Sequence, residues 1–250
     1  MTFSLRWAAA AAMTVLLLAA APSRAETFSA DQRTEIEHII KDYLVSHPEV
    51  LQDAMNELEK HQAAADAEKH RTIIKEQSDK LFSSPRQVTI GNPQGDVTLV
   101  EFFDYNCGYC RRALSDMLSL MKDDPNLRVV LKEFPVLGPG SVEAAQVAVA
   151  VRMQDKTGKK YLEFHQKLLG GRGQADKNRA LAVAKDVGLD MSRIEKDMAS
   201  DEVRATIDEN LKVADLLGLN GTPSYIVGDE VVVGAVGLDA LKSKVGAARK

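Results

Sequence analysis

The sequence predicts an α/β fold preceded by a helical N-terminal segment. Three observations carry this prediction. An apolar strand run, Val97–Phe103, leads directly into a helical pattern and then into a second strand run over residues 127–134. Residues 141–217 then read as helix throughout. Strand character returns at Ser224–Val227 and at residues 231–233, ahead of a last helix from about Leu238.

Each element has a local reason. Residues 29–80 contain no glycine and one proline. Ser29 with Gln32 three positions later has the form of a capping box, and Ser46 with Glu49 repeats it, with Pro48 in a first turn where proline is tolerated. Ile36, Ile39, Ile40, Tyr43 and Leu44, then Val50, Leu51, Met55 and Leu58, recur at helical spacing but form only a narrow stripe. So thin an apolar face packs on a partner or on a neighbouring domain. Ser83-Ser84-Pro85 breaks the helix. Val97–Phe103 is apolar almost without interruption, as in a strand covered on both faces. Ala113, Leu114, Met117, Leu118 and Met121 share one face of the helix that Cys107 opens, and Asp123-Asp124-Pro125-Asn126 ends it. Strand, helix, strand in this order predicts a parallel unit. Residues 135–140 read as a loop, Gly170 to Gly173 and Gly188 punctuate the helical block, and Gly228-Asp229 suits a hairpin turn.

The N-terminus runs from a basic start at Arg6, through an alanine- and leucine-rich centre, to Pro22-Ser23-Arg24-Ala25. This is the pattern of a signal peptide cleaved after Ala25; a membrane anchor is the other reading, for which the run is short. The expectation is a chain exported to the periplasm, where disulfides form and persist. The formal net charge is −4, more acidic still without Arg6 and Arg24, and no basic stripe points to nucleic acid.

The chain has two cysteines, and they stand in Cys107-Gly108-Tyr109-Cys110 at the first strand-to-helix junction. Two ligands are too few for a structural zinc, and the loop is too short to staple a fold. Thiol–disulfide exchange is the chemistry that such a pair performs. At a helix N-terminus the Cys107 sulfur meets unpaired backbone N–H groups and the positive end of the helix dipole, so its thiolate is favoured. Arg111 and Arg112 are expected to add positive charge. Cys107 is then the attacking thiol, and Cys110, one turn on and facing inward, resolves the mixed disulfide. Glu101 is a carboxylate inside an apolar strand, where burial is expensive; it reads either as an acid near the active site or as an exposed strand-end residue. Lys132 and Glu133 on the next strand are candidate partners for it. His38, His47, His61, His70 and His165 show no metal spacing and are expected in solvated or capping roles, so neither a metal nor a cofactor is expected.

This element order around a Cys-x-x-Cys resembles a thioredoxin fold, and the helical insertion over about residues 141–217 marks its DsbA-like branch. The resemblance covers residues 87–250. It rests on Glu101-Phe102-Phe103-Asp104-Tyr105, on the cysteine motif, and on Gly221-Thr222-Pro223-Ser224-Tyr225. It implies a cis bond at Thr222-Pro223, an extended client segment pairing with the Thr222 backbone, and a Pro223 ring that shields the sulfurs from other ligands. It also implies that Glu101 shuttles the Cys110 proton. Gly108-Tyr109 is similar to the dipeptide of the isomerase DsbC rather than to the Pro-His of the oxidant DsbA, and Thr222 resembles isomerases where DsbA has valine.

Ser46-His47-Pro48-Glu49-Val50-Leu51, followed by Ala54-Met55-Asn56-Glu57-Leu58-Glu59, resembles the N-terminal segment of the ScsC and Com1-like group. That resemblance implies self-association as a trimer or dimer through residues 26–82, with several sites facing one client at high effective concentration. The expected organisation is residues 1–25 as signal, 26–82 as the oligomerisation segment and 83–250 as the catalytic domain. The expected function is a periplasmic oxidoreductase acting as isomerase or reductase on misfolded or reduced exported proteins, kept reduced by a membrane donor of the DsbD or ScsB type. The alternatives are a DsbA-like oxidase recharged by a DsbB-type partner and a copper-binding protein that uses the same thiols.

Overall fold

The computed structural model describes residues 28–249, so the signal-peptide reading of residues 1–25 lies outside them. The described residues divide into two units, one ending at Leu58 and the other beginning at Glu59. In the first, α1 (Ala30–Ser46) is followed by the start of α2 (Pro48–Glu76). The Ser29 capping box forms: the Ser29 hydroxyl accepts from the Gln32 N–H, and the Gln32 side chain accepts from the Ser29 N–H. The second capping box does not. Ser46 is the last residue of α1, so the position before Pro48 falls to His47, whose ring stacks on Tyr43 and whose N–H caps α1. No residue of α1 is buried, and Ile39, Ile40, Tyr43, Leu51, Met55 and Leu58 are exposed.

In the second unit, the rest of α2 and the short α3 (Ser78–Phe82) lead into β1 (Val88–Gly91) and β2 (Val97–Phe103). These are followed by α4 (Gly108–Asp123) and β3 (Leu127–Glu133). Five helices come next: α5 (Pro139–Gln154), α6 (Lys159–Gly170), α7 (Lys177–Asp186), α8 (Met191–Met198) and α9 (Asp201–Leu216). The hairpin of β4 (Ser224–Val227) and β5 (Glu230–Val233) and then α10 (Leu238–Ala247) complete the unit.

One five-stranded sheet has the order β1-β3-β2-β4-β5. β2 and β3 are parallel, as the strand–helix–strand reading expects, and every other pair is antiparallel. The four-residue β1, which the sequence did not reveal, pairs along the outer side of β3. A two-residue turn joins β4 to β5, and Gly228 supplies its positive φ of 60°.

Alternation along the strands splits the core into two layers. Val97, Leu99 and Phe103, with Val129 and Leu131, face α4, α5, α6 and α10 through residues such as Met117, Val147, Phe164 and Leu241. Val100, Phe102, Val130 and Ile226 face the other way, onto Ile74, Leu81, Val213 and Ala214 of α2, α3 and α9. Both faces of β2 are therefore covered, which is why its sequence carries almost no polar residue. No helix among the described residues is long and apolar enough to cross a membrane.

Candidate active site

Cys107 is the N-cap of α4, at the point where the chain leaves the middle strand of the sheet. Its Sγ accepts from the Cys110 backbone N–H at 3.2 Å and lies 3.1 Å from the Thr222 carbonyl oxygen, to which the thiol donates. Cys110 is fully buried and Cys107 exposes 5 % of its surface; both are free thiols. A hydrogen bond from the Cys110 side chain is the main influence holding the Cys107 thiol down to about 5. The same hydrogen bond, joined by burial, pushes the Cys110 thiol well above the ordinary range. The pair is thus split into one thiol that ionises readily and one that holds its proton.

The two residues between the cysteines are exposed. Gly108 is the first helical residue, and a Cβ added there meets nothing within 4 Å, so no packing requires glycine at this position. The Tyr109 ring is 59 % exposed and lies under the Arg112 guanidinium, 4.4 Å from its centroid. Arg111 donates to the Leu169 carbonyl at 2.9 Å. Both arginines are held by these other contacts, and the leading influences on Cys107 are its hydrogen bonds with Cys110 and Thr222 and its own burial. Thr222 and Pro223 come to the site from the loop before β4; the bond between them is cis and Pro223 is buried.

Glu101 is buried at 1 % exposure in β2, opposite Tyr225 of β4, which excludes the exposed strand-end reading. Burial, with the nearby Cys107 charge, pushes its carboxyl up to about 8, and Oε2 has no hydrogen-bond partner. Lys132 does not pair with it. Glu101 lies in register with Leu131, so Lys132 points to the opposite face of the sheet, where its Nζ donates to the Lys80 carbonyl at 2.6 Å. Glu133 shares the face of Glu101 but accepts from the Tyr161 hydroxyl at 2.5 Å.

His165 also departs from expectation. It is buried rather than solvated, packs edge-on against Phe103, and lies 3.4 Å from the Tyr105 hydroxyl, two residues before Cys107. Burial lowers its ring to about 3, so it is neutral at ordinary pH. Asp104 and Asn106, which sequence reasoning passed over, are knotted into this loop by the hydrogen bonds described below. Among the described residues, no group of three or more His, Cys, Asp or Glu could hold a metal ion.

A cysteine with a lowered thiol at the start of the helix that follows the central strand, facing a cis-proline loop, defines the thioredoxin class of redox fold. The chain belongs to the DsbA-like thioredoxin domain family, whose model matches residues 98–246. The model of the copper resistance protein ScsC N-terminal domain matches residues 32–65. A thioredoxin-like oxidoreductase from Silicibacter pomeroyi is 46 % identical; the match covers 68 % of this chain and 96 % of that one, with a TM-score of 0.65. A linker-deletion variant of Proteus mirabilis ScsC is 27 % identical over 90 % of this chain and 98 % of its own, with a TM-score of 0.67. The chain spans about a quarter of the length of the first curated relatives it matches. One is a Na(+)/H(+) antiporter, NhaA 1 of Salinispora arenicola, 29 % identical over 157 residues, which are 62 % of this chain and 24 % of that protein.

Proposed function

We propose that this protein is a thiol–disulfide oxidoreductase that works in the periplasm as an isomerase or reductase of exported proteins. The carrying observation is the pairing of an ionisable Cys107 thiol, at about 5, with a Cys110 that keeps its proton. The Cys107 thiolate attacks a client disulfide; one sulfur of that bond joins Cys107 and the other leaves as a client thiolate. In reduction, Cys110 gives up its proton and attacks the Cys107 sulfur. The client leaves as a dithiol and Cys107–Cys110 closes, to be reopened by an external dithiol donor of the DsbD or ScsB type. In isomerisation, a different client thiolate attacks the mixed disulfide and expels Cys107 as thiolate, with no net change of redox state. Glu101, within electrostatic range of Cys107, takes the Cys110 proton in its ionised form, which grows as pH approaches its value of about 8, and then releases that proton to solvent. The Thr222 carbonyl, freed when Cys107 ionises or forms a disulfide, becomes an acceptor for the backbone of an extended client, and Pro223 walls off that side.

Three things favour correction over oxidation. A thiol at about 5 lies between the values of the strong oxidant DsbA, about 3.5, and thioredoxin, about 7. Gly108-Tyr109 contributes no imidazole to the thiolate. The exposed stripe of the first unit supplies a surface for self-association as a trimer or dimer through residues 26–82. Export rests on the signal pattern of residues 1–25.

The oxidase reading, with a DsbB-type partner, draws on the same depressed thiol, because a stabilised thiolate favours the reduced enzyme. Refolding of a scrambled-disulfide protein separates the two. Recovery of the native protein supports isomerisation, whereas no recovery alongside rapid oxidation of a reduced peptide overturns it. The copper reading draws on the name of the family model matched at residues 32–65, but that match lies away from the cysteines. Titration of the reduced protein with Cu(I) tests it.

A further inference from the structure

The loop that delivers Cys107 is held by two side chains that touch neither sulfur. Asp104 is 1 % exposed and its carboxylate accepts four hydrogen bonds. Oδ1 takes the Asn106 N–H at 2.8 Å and the Ser141 hydroxyl at 2.7 Å; Oδ2 takes the Val136 and Leu137 N–H groups at 2.8 and 3.0 Å. None of these donors carries a charge, so the carboxylate works as a fourfold acceptor rather than as half of an ion pair. The Asn106 amide then reaches across to the insertion. Its Oδ1 accepts from the Ala175 N–H at 2.7 Å, and its Nδ2 donates to the Ala175 carbonyl at 2.9 Å and to Ser141 Oγ at 3.0 Å. The Cys107 N–H closes the turn onto the Asp104 carbonyl at 3.1 Å.

We infer that Asp104 and Asn106 are positioning residues, which fix the Cys107 sulfur at the start of α4 by clamping the preceding turn to the β3–α5 loop and to the insertion. The physical reason is steepness. The Cys107 sulfur is stabilised by hydrogen bonds from the Cys110 side chain and, at 3.2 Å, from the Cys110 N–H, and such contacts weaken rapidly with small displacements. A turn free to shift would loosen those contacts while leaving the fold intact. A charge role predicts the opposite effect, because removing an anion near a forming thiolate eases its ionisation. The sign of one measurement therefore tells positioning from electrostatics.

The inference rests on Cys107 being the exchanging thiol. The test is a thiolate titration by ultraviolet absorbance of the full-length reduced protein and of Asp104→Asn and Asn106→Ala, with a melting curve for each to confirm folding. Positioning predicts that the Cys107 pKa rises by about one unit in each folded variant, a tenfold fall in its ionisation constant. A slower reaction with iodoacetamide near pH 6 should accompany it. A depressed parent value that stays unchanged or falls further in the variants overturns the inference and leaves the exchange reading intact. A parent Cys107 that titrates in the ordinary thiol range overturns both. Should Asp104→Asn fail to fold, Ser141→Ala serves in its place, because it removes one donor to Asp104 and one acceptor of Asn106. A rise of a few tenths of a unit is expected there, and the parent value overturns the inference.

Discussion

Glu101 shows how much one buried carboxyl can be asked to do. Its carboxyl is raised from 4.5 to about 8 by burial, so between those values it stays protonated in the folded chain while its unfolded counterpart ionises. Folding stability should therefore fall as pH rises from 4.5 to 8 and level off above. Glu101→Gln removes the titration. Its stabilisation over the parent should be absent near pH 4 and grow to at most roughly 5 kcal/mol at pH 8, the energy equivalent of the shift. Urea melts of both proteins across that range check this, and a gain independent of pH would refute it. The same variant should resolve mixed disulfides more slowly, seen as a trapped client adduct on a non-reducing gel. The legibility of individual residues follows their range of interaction. Cys107 and Cys110 are visible in sequence because spacing alone brings them together, and Glu101 because a charge interrupts an apolar run. Asp104, Asn106 and His165 are not, because most of their partners lie 32 to 69 positions away along the chain.

Among the elements, the long regular ones announced themselves. The apolar positions of α4 and the alanine-rich α5 fall at helical spacing, and β2 and β3 carry the largely apolar runs of strands covered on both faces. β1 did not, because four residues at a sheet edge bury only half of their side chains and give no period to read. The start of α2 was misplaced because Ser46 had a glutamate at the capping distance, yet α1 holds on through Ser46 and stops only at Pro48, whose ring cannot follow an unbroken helix. The prediction that belongs at this scale concerns the stripe on α1 and the first turns of α2. Leu51 and Met55 are about half exposed, and if the stripe is a self-association surface, the double variant Leu51→Glu, Met55→Glu should lower the mass measured by analytical ultracentrifugation to that of a monomer. An unchanged mass removes these residues from the interface. Isomerase activity should fall with the mass, while reduction of a small disulfide should persist.

For the molecule as a whole, the reduced and oxidised states differ in how they answer to pH. The Cys107 thiol is lowered from 9.0 to about 5, so the reduced fold gains stability as pH rises above 5, gains it fully above 9, and loses it as pH falls through 5. At pH 7 the gain is at most roughly 3 kcal/mol, less where water at the open side of the site screens the thiolate. The oxidised fold has no such term. The urea midpoint of the reduced protein, taken relative to that of the oxidised protein, should therefore fall from pH 8 to pH 5, and Cys107→Ala, which cannot form the disulfide, should lack the fall that the reduced parent shows. A gap that stays constant with pH would show that Cys107 is not the stabilised thiolate. The general order of the domain was legible because each half of the motif is short and local. What sequence could not supply was the docking of the five-helix insertion onto the redox loop, since that depends on contacts such as Asn106 with Ala175.

The Cys107 sulfur and the Thr222 carbonyl that meets it are separated by 115 positions, with the entire insertion between them. During synthesis and any vectorial passage from the N-terminal end, both cysteines emerge long before the strand that completes their surroundings. Until residue 222 arrives, the pair has its helix start but neither the carbonyl opposite nor the cis-proline loop. A chain cut short anywhere in the insertion would keep both thiols and lack Thr222 and Pro223. The full site thus exists only in a chain made at least as far as residue 223, and the thiols precede their surroundings in the order in which the chain is laid down.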